Sequence, residues 1–244
     1  MSLIVTVYVP SGILMASDSR QTISVQKTDP QGNMSPPIPI VSSDFAYKTF
    51  LLDRQQVGIS NFGEAFLGRI PTDAHLKQFE EEILSDRDDV ESVASKMLNF
   101  FKSKFPEADT SFHIAGYKKR GKISEPYIYH VNIKRSELMR LNFRKEQNQI
   151  TYGASWGGEG DIVLEILNPI WVKDAKGNYV EVQKPPIPWD AMPIQDAIDF
   201  SIYAIKTTID TMRFQARPKT VGGPIDVLLI TPEGARWIRR KELG

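Results

Sequence analysis

Over the first 60 positions the apolar residues fall in short β-branched runs and not in helical stripes. Residues 3–9, with Ile4, Val5, Val7 and Val9, and residues 13–16 flank Pro10-Ser11-Gly12, an arrangement that predicts a hairpin. Residues 22–44 are polar and carry Pro30, Gly32, Pro36, Pro37 and Pro39, which argues against a central strand and for a long loop. A second strand pair is expected at 47–52 and 56–60, joined by the polar turn Asp53-Arg54-Gln55.

The period then changes. Leu76, Phe79, Ile83 and Leu84 follow a spacing near 3.6 and predict a helix, with N-cap chemistry from Thr72 and Asp73 after Pro71. Asp89, Val90, Val93, Met97, Phe100 and Phe101 predict a second. Strands are expected again at 111–117, 127–133, 139–143 and 150–152, then a short helix at 161–167. Residues 167–191 form another Pro-rich excursion. A long helix follows at 193–215, striped by Ile194, Ala197, Ile198, Ile205, Ile209 and Met212. Strands at 225–231 and 235–238, around Pro232-Glu233-Gly234, close the series. This order suggests an α+β fold in which two antiparallel sheets pack face to face between helix layers. It reads as one domain over 1–244, with insertions at about 22–44 and 168–191.

Composition narrows the function. Thirty basic residues balance thirty acidic ones, so no electrostatic footprint points to nucleic acid or to an anionic membrane surface. There is no cysteine, which removes disulfides, thiolate zinc sites and a cysteine nucleophile. No apolar run approaches the ~18 residues of a spanning helix and no signal segment is evident, so a cytoplasmic location is expected. His75, His113 and His130 lack any paired metal-ligand spacing, and neither a metal nor a cofactor is expected. Gly157-Gly158-Glu159-Gly160 lacks the Lys-Ser/Thr ending of a phosphate loop and reads as a turn. Lys118-Lys119-Arg120 and Arg239-Arg240-Lys241 read as a solvated turn and terminus.

The candidate chemistry lies at the start. Ser2 follows Met1, and methionine is readily trimmed before so small a residue. A freed Ser2 then carries nucleophile and base together, because an α-amine with a pKa of about 7.7–8.0 is partly unprotonated near neutral pH. Asp18 and Lys48 stand at predicted strand ends, where an Asp and a Lys taken alone also read as an ordinary ion pair.

Several segments together resemble proteasome β-type subunits and their bacterial stand-alone relatives among the N-terminal nucleophile hydrolases. They are Gly12-Ile13-Leu14-Met15-Ala16-Ser17-Asp18-Ser19-Arg20, Lys48 at a strand start, and Gly58 and Gly63 around the next strand's end. His113-Ile114-Ala115-Gly116-Tyr117, Gly153-Ala154-Ser155 and Val221-Gly222-Gly223-Pro224-Ile225-Asp226-Val227 complete the series. In that family the nucleophile lies sixteen residues before the Asp of the Asp-Ser-Arg signature, and counting back from Asp18 reaches Ser2.

The resemblance implies a four-layer αββα sandwich and a serine-type peptidase. In it Ser2 is the nucleophile, Asp18 holds Lys48, and the Lys48 ammonium lowers the pKa of the hydroxyl. By the same resemblance Ser155 supports the terminal amine, a backbone N–H at Phe62 or Gly63 serves the oxyanion, and Arg20 fixes carbonyls near the site. The family's carboxylate ahead of the late Gly-Gly is missing, which leaves the Thr220 hydroxyl for that position. The implied partners are identical subunits in a ring or open spiral, a peptide or protein substrate, and an unfolding ATPase. The alternative on the same scaffold is a catalytically inactive ring subunit.

Overall fold

The computed structural model describes residues 2–182 and 184–242. The chain opens with the hairpin β1 (Leu3–Val9) and β2 (Gly12–Ser17), both buried throughout. Next come a ribbon of β3 (Gln21–Val25) with β4 (Ile38–Ser43) and a hairpin of β5 (Thr49–Leu52) with β6 (Val57–Gly63). The short β7 (Phe66–Leu67) and β8 (Ile70–Pro71) lead into α1 (Thr72–Glu82) and α2 (Val90–Lys104). Strands β9 (Thr110–Arg120), β10 (Ile123–Asn132) and β11 (Glu137–Arg140) form a meander, followed by the small pair β12 (Phe143–Arg144) and β13 (Gln149–Ile150). Strand β14 (Gly153–Gly158), α3 (Asp161–Leu167), the ribbon β15 (Ile170–Lys173) with β16 (Tyr179–Val182), α4 (Ile194–Phe214), β17 (Asp226–Thr231) and β18 (Gly234–Arg239) complete it.

The expected α+β four-layer αββα sandwich is corrected. Among the described residues strand outweighs helix, and the strands fall into six sheets, four of which have only two strands, with four α-helices. The ribbons account for much of the difference. Residues 22–44 and 167–191 were expected as loops, yet each holds a paired hairpin, β3–β4 and β15–β16. Pro39 sits within β4, which pairs on one side only, the edge position in which a strand tolerates proline. β14 was also missed, since its glycines suggest a turn. It pairs with β1 from Leu3↔Gly158 to Tyr8↔Gly153.

Two five-stranded sheets, ordered β14-β1-β2-β17-β18 and β11-β10-β9-β6-β5, carry most of the core. Helix α4 buries Ala197, Ile205 and Met212 among Val5, Val7 and Leu14 of the first sheet. Helix α2 is capped by Asp89, whose side chain accepts from Ser92 N at 2.9 Å, and buries Val93, Met97 and Phe101 among Ile59, Phe112 and Val131 of the second. The cap expected for α1 is absent. Pro71 precedes it, and Thr72 Oγ1 donates to Glu64 O instead. Among the described residues no helix is long and apolar enough to cross a membrane.

Where the two sheets meet, Tyr8, Ile13, Met15, Ile128, Leu228 and Ile230 form an apolar cluster crossed by two polar links. Thr6 Oγ1 lies 3.0 Å from His113 Nδ1, and Thr49 Oγ1 bonds Ser17 Oγ and Ser60 Oγ, each at 2.9 Å. Burial, and then the neighbouring His130, push the His113 pKa down to about 3. Native His113 therefore stays neutral while the unfolded chain takes up a proton below about pH 6.5. Stability is thus lost as the pH falls from there, by about 2 kcal/mol at pH 5. Urea unfolding at pH 7 and pH 5 checks this: His113→Gln should flatten the pH dependence, and an unchanged dependence contradicts it.

Candidate active site

The Ser17–Thr49 link fixes the register in which β2 and β5 meet, and the neighbouring residues are Asp18 and Lys48. Lys48 Nζ donates to Asp18 Oδ1 and to Arg20 O, both at 2.6 Å. The Asp18 carboxylate is fully buried, and three backbone groups also donate to it. Leu3 N reaches Oδ1 at 2.9 Å, while Arg20 N and Gly222 N reach Oδ2 at 3.1 and 3.0 Å. One carboxylate thus ties together β1, the end of β2, the loop before β17 and the lysine. Such multiple donation keeps a buried carboxylate satisfied. Burial pulls the Lys48 ammonium below its ordinary range, and Asp18 opposes that shift.

Ser2, 7% exposed, stands next to this pair. Its carbonyl accepts from Glu159 N at 2.8 Å. Gly158 makes that approach possible: its φ is +89°, and a Cβ there would lie 1.8 Å from Ser2 O. Two cavities border Ser2. One of about 270 Å³ is lined by Ser2, Arg20, Lys48, Asn61 and Gly63, and another of about 870 Å³ by Ser2, Thr22, Phe62, Gly63, Ser111 and Glu159. Met1, whose removal the sequence reading requires, lies outside the described residues.

Backbone direction separates the two oxyanion candidates. Asn61 N donates to Lys48 O at 2.8 Å, on the β5 side of β6. Phe62 O faces the other side, where Thr110 Oγ1 donates to it at 3.2 Å. Strand alternation therefore turns the Gly63 N–H to the same edge as that of Asn61, past Lys48 and towards the smaller cavity. Phe62 N–H points to β9. The Phe62 ring lies against Gly157, with its centroid 5.7 Å from that of His113 and 5.9 Å from that of His130. At Gly63 φ is +103°, and a Cβ would meet Asp109 O at 2.2 Å, so no other residue fits.

The remaining expected residues divide. Arg20 forms a bidentate pair with Asp44, Nε to Oδ1 at 2.6 Å and a terminal nitrogen to Oδ2 at 2.9 Å, and also donates to Lys219 O at 3.0 Å. It holds the loop before β17 in place. Ser155 is not brought to Ser2. It lies in β14 opposite Thr6, and its Oγ is 3.1 Å from Tyr8 OH. The turn beside Ser2 is Gly158-Glu159-Gly160, one strand length further along. Thr220 is buried with no partner for Oγ1 and lines neither cavity.

Asn61 lies in the segment expected to serve the oxyanion, whereas Glu159 and Asp44 are not singled out by the sequence. Asn61, 6% exposed, has no partner for Oδ1 and lines the smaller cavity. Glu159 anchors Ser2 through its N–H, and its carboxylate lies 2.7 Å from Arg217. Asp44 pairs with Arg20. Alternation along β6 could have placed Asn61 beside Lys48, whereas the Glu159 contact had no sequence signal. No group of three or more His, Cys, Asp or Glu among the described residues could hold a metal ion.

No protein-family model matches the chain, and no curated relative matches its sequence. Solved structures do match. A mutant of Anbu from Hyphomicrobium sp. strain MC1 superposes with a TM-score of 0.56 at 14% identity, over 99% of this chain and 86% of that one. The chain shares the fold of Anbu. At that identity the likeness to Anbu is one of fold, and with 387 solved chains matching, the fold by itself does not choose an activity.

Proposed function

We propose that this protein is an amide-bond hydrolase of the proteasome-like type, with Ser2, freed by removal of Met1, as its nucleophile. One observation carries the reading: a buried lysine, held by a fully satisfied Asp18, shares a cavity with Ser2. The fold likeness to Anbu, a proteasome-like protein related to the N-terminal nucleophile hydrolases, supports it.

In this reading the Ser2 α-amine takes the hydroxyl proton as Oγ attacks the carbonyl carbon of a peptide. Lys48 stabilises the developing alkoxide, and the Gly63 N–H donates to the oxyanion. Collapse of the tetrahedral adduct breaks the C–N bond. The proton passes from the α-ammonium to the leaving amine, and an ester remains on Ser2. Water, deprotonated by the same α-amine, then releases the acid. Identical subunits, implied by the sequence resemblance, are the proposed partners.

Lys48→Met tests the mechanism. The Asp18 carboxylate keeps its three backbone donors, so the fold should persist while peptidase turnover falls by about 10²–10⁴-fold. Full activity in a folded variant contradicts it.

A further inference from the structure

From its composition Arg239-Arg240-Lys241 is expected in solvent, and the structure corrects this for Lys241. Its side chain is 1% exposed and pairs with Asp226, itself fully buried at the start of β17. The Lys241 N–H also donates to Asp226 Oδ1 at 2.7 Å, so the segment after β18 is held at two points. Asp226 lies opposite Ser17 in the β2–β17 ladder, one residue from Asp18. The molecule therefore buries two Lys–Asp pairs side by side, and the mechanism above uses only one. A buried pair of this kind is weak evidence for stability, because its desolvation cost offsets its attraction.

Tyr47 connects the two pairs. Lys241 Nζ sits 4.3 Å from the Tyr47 ring centroid and the Arg240 guanidinium 5.3 Å, so both cations rest on the ring of the residue that precedes Lys48. Tyr47 also lines the smaller cavity beside Ser2.

We propose that Lys241, anchored by Asp226 and seated on Tyr47, is a positioning residue for Lys48: it fixes the strand start that presents Lys48 and sets a second buried cation beside it. The groups facing Lys48 are then Asp18 and Arg20 from the end of β2, Asp44 from the segment after β4, and Lys241 from the segment after β18. Asp18 favours the ammonium, whereas burial, Lys241 and Arg20 disfavour it. The Lys241 charge thus works against the Lys48 ammonium. Loss of that charge should let Lys48 hold its proton to higher pH.

This inference deepens the proposed site, and its test does not depend on turnover. The Lys48 ¹³Cε signal of the full chain, assigned by its loss in Lys48→Arg, is titrated by NMR. Lys241→Met strands the Asp226 carboxylate, so Asp226→Asn with Lys241→Met serves as the variant that keeps a neutral, filled site. In the double variant the Lys48 midpoint should move to higher pH, each half unit being about a threefold change in the neutral fraction. Lys241→Arg, which keeps the charge, should leave it in place. An unmoved midpoint in the folded double variant overturns the proposal. Absence of peptidase activity in the unaltered protein would instead count against the hydrolase reading and leave this result standing.

Discussion

Asp18→Ala should be the most damaging single substitution, costing about 3–5 kcal/mol of stability along with any activity. The change orphans three backbone N–H groups and leaves the Lys48 ammonium buried beside only one remaining acceptor, Arg20 O. For a chain of this length a thermal midpoint lower by roughly 6–20 °C is expected. Lys48 can limit the loss by giving up its proton. Removing Asp18 lowers its folded-state pKa further, so the unfolded chain binds more protons and stability rises with pH up to the ordinary lysine range. The deficit should accordingly shrink between pH 7 and pH 9. The double variant with Lys48→Met should recover part of it at neutral pH. Melting curves of the three proteins decide; a single variant as stable as the parent would show that the pair does not organise this junction.

The second large effect concerns Ser2. Ser2→Ala should abolish peptidase turnover, by at least ~10³-fold, without changing the melting temperature. The elements that position residue 2 do not depend on its hydroxyl. Its carbonyl bonds Glu159 N, and the next residue is tied to Asp18. A structural role for the hydroxyl would lower stability in the variant, whereas a catalytic role leaves stability alone.

Much of this arrangement was legible in the chain. Short apolar runs identified β1, β2 and β17, and the bounds of α4 were legible to within a residue. Asp18 and Lys48 were placed together by the resemblance and are joined by a hydrogen bond. The four-layer arrangement was not what formed. Composition hid the ribbons, because Pro39 marks a loop only where a strand has neighbours on both sides. β14 was hidden by its glycines, and with it the true position of Ser155. Ser155 follows from the resemblance of Gly153-Ala154-Ser155 to a family turn, and a short glycine-containing match cannot tell a turn from a strand. Lys241 was misplaced for a related reason. A basic cluster reads as solvated unless the carboxylate that will bury one of its members is known, and Asp226 lies fifteen residues away.

The most direct test is intact mass with peptide mapping of protein from its native host, before and after an electrophile that traps N-terminal hydroxyl nucleophiles. The account predicts loss of Met1 and a single adduct confined to Ser2, absent from Ser2→Ala and reduced in Lys48→Met. Retained Met1, or a free Ser2 that takes no adduct, contradicts it and favours a catalytically inactive subunit on the same scaffold.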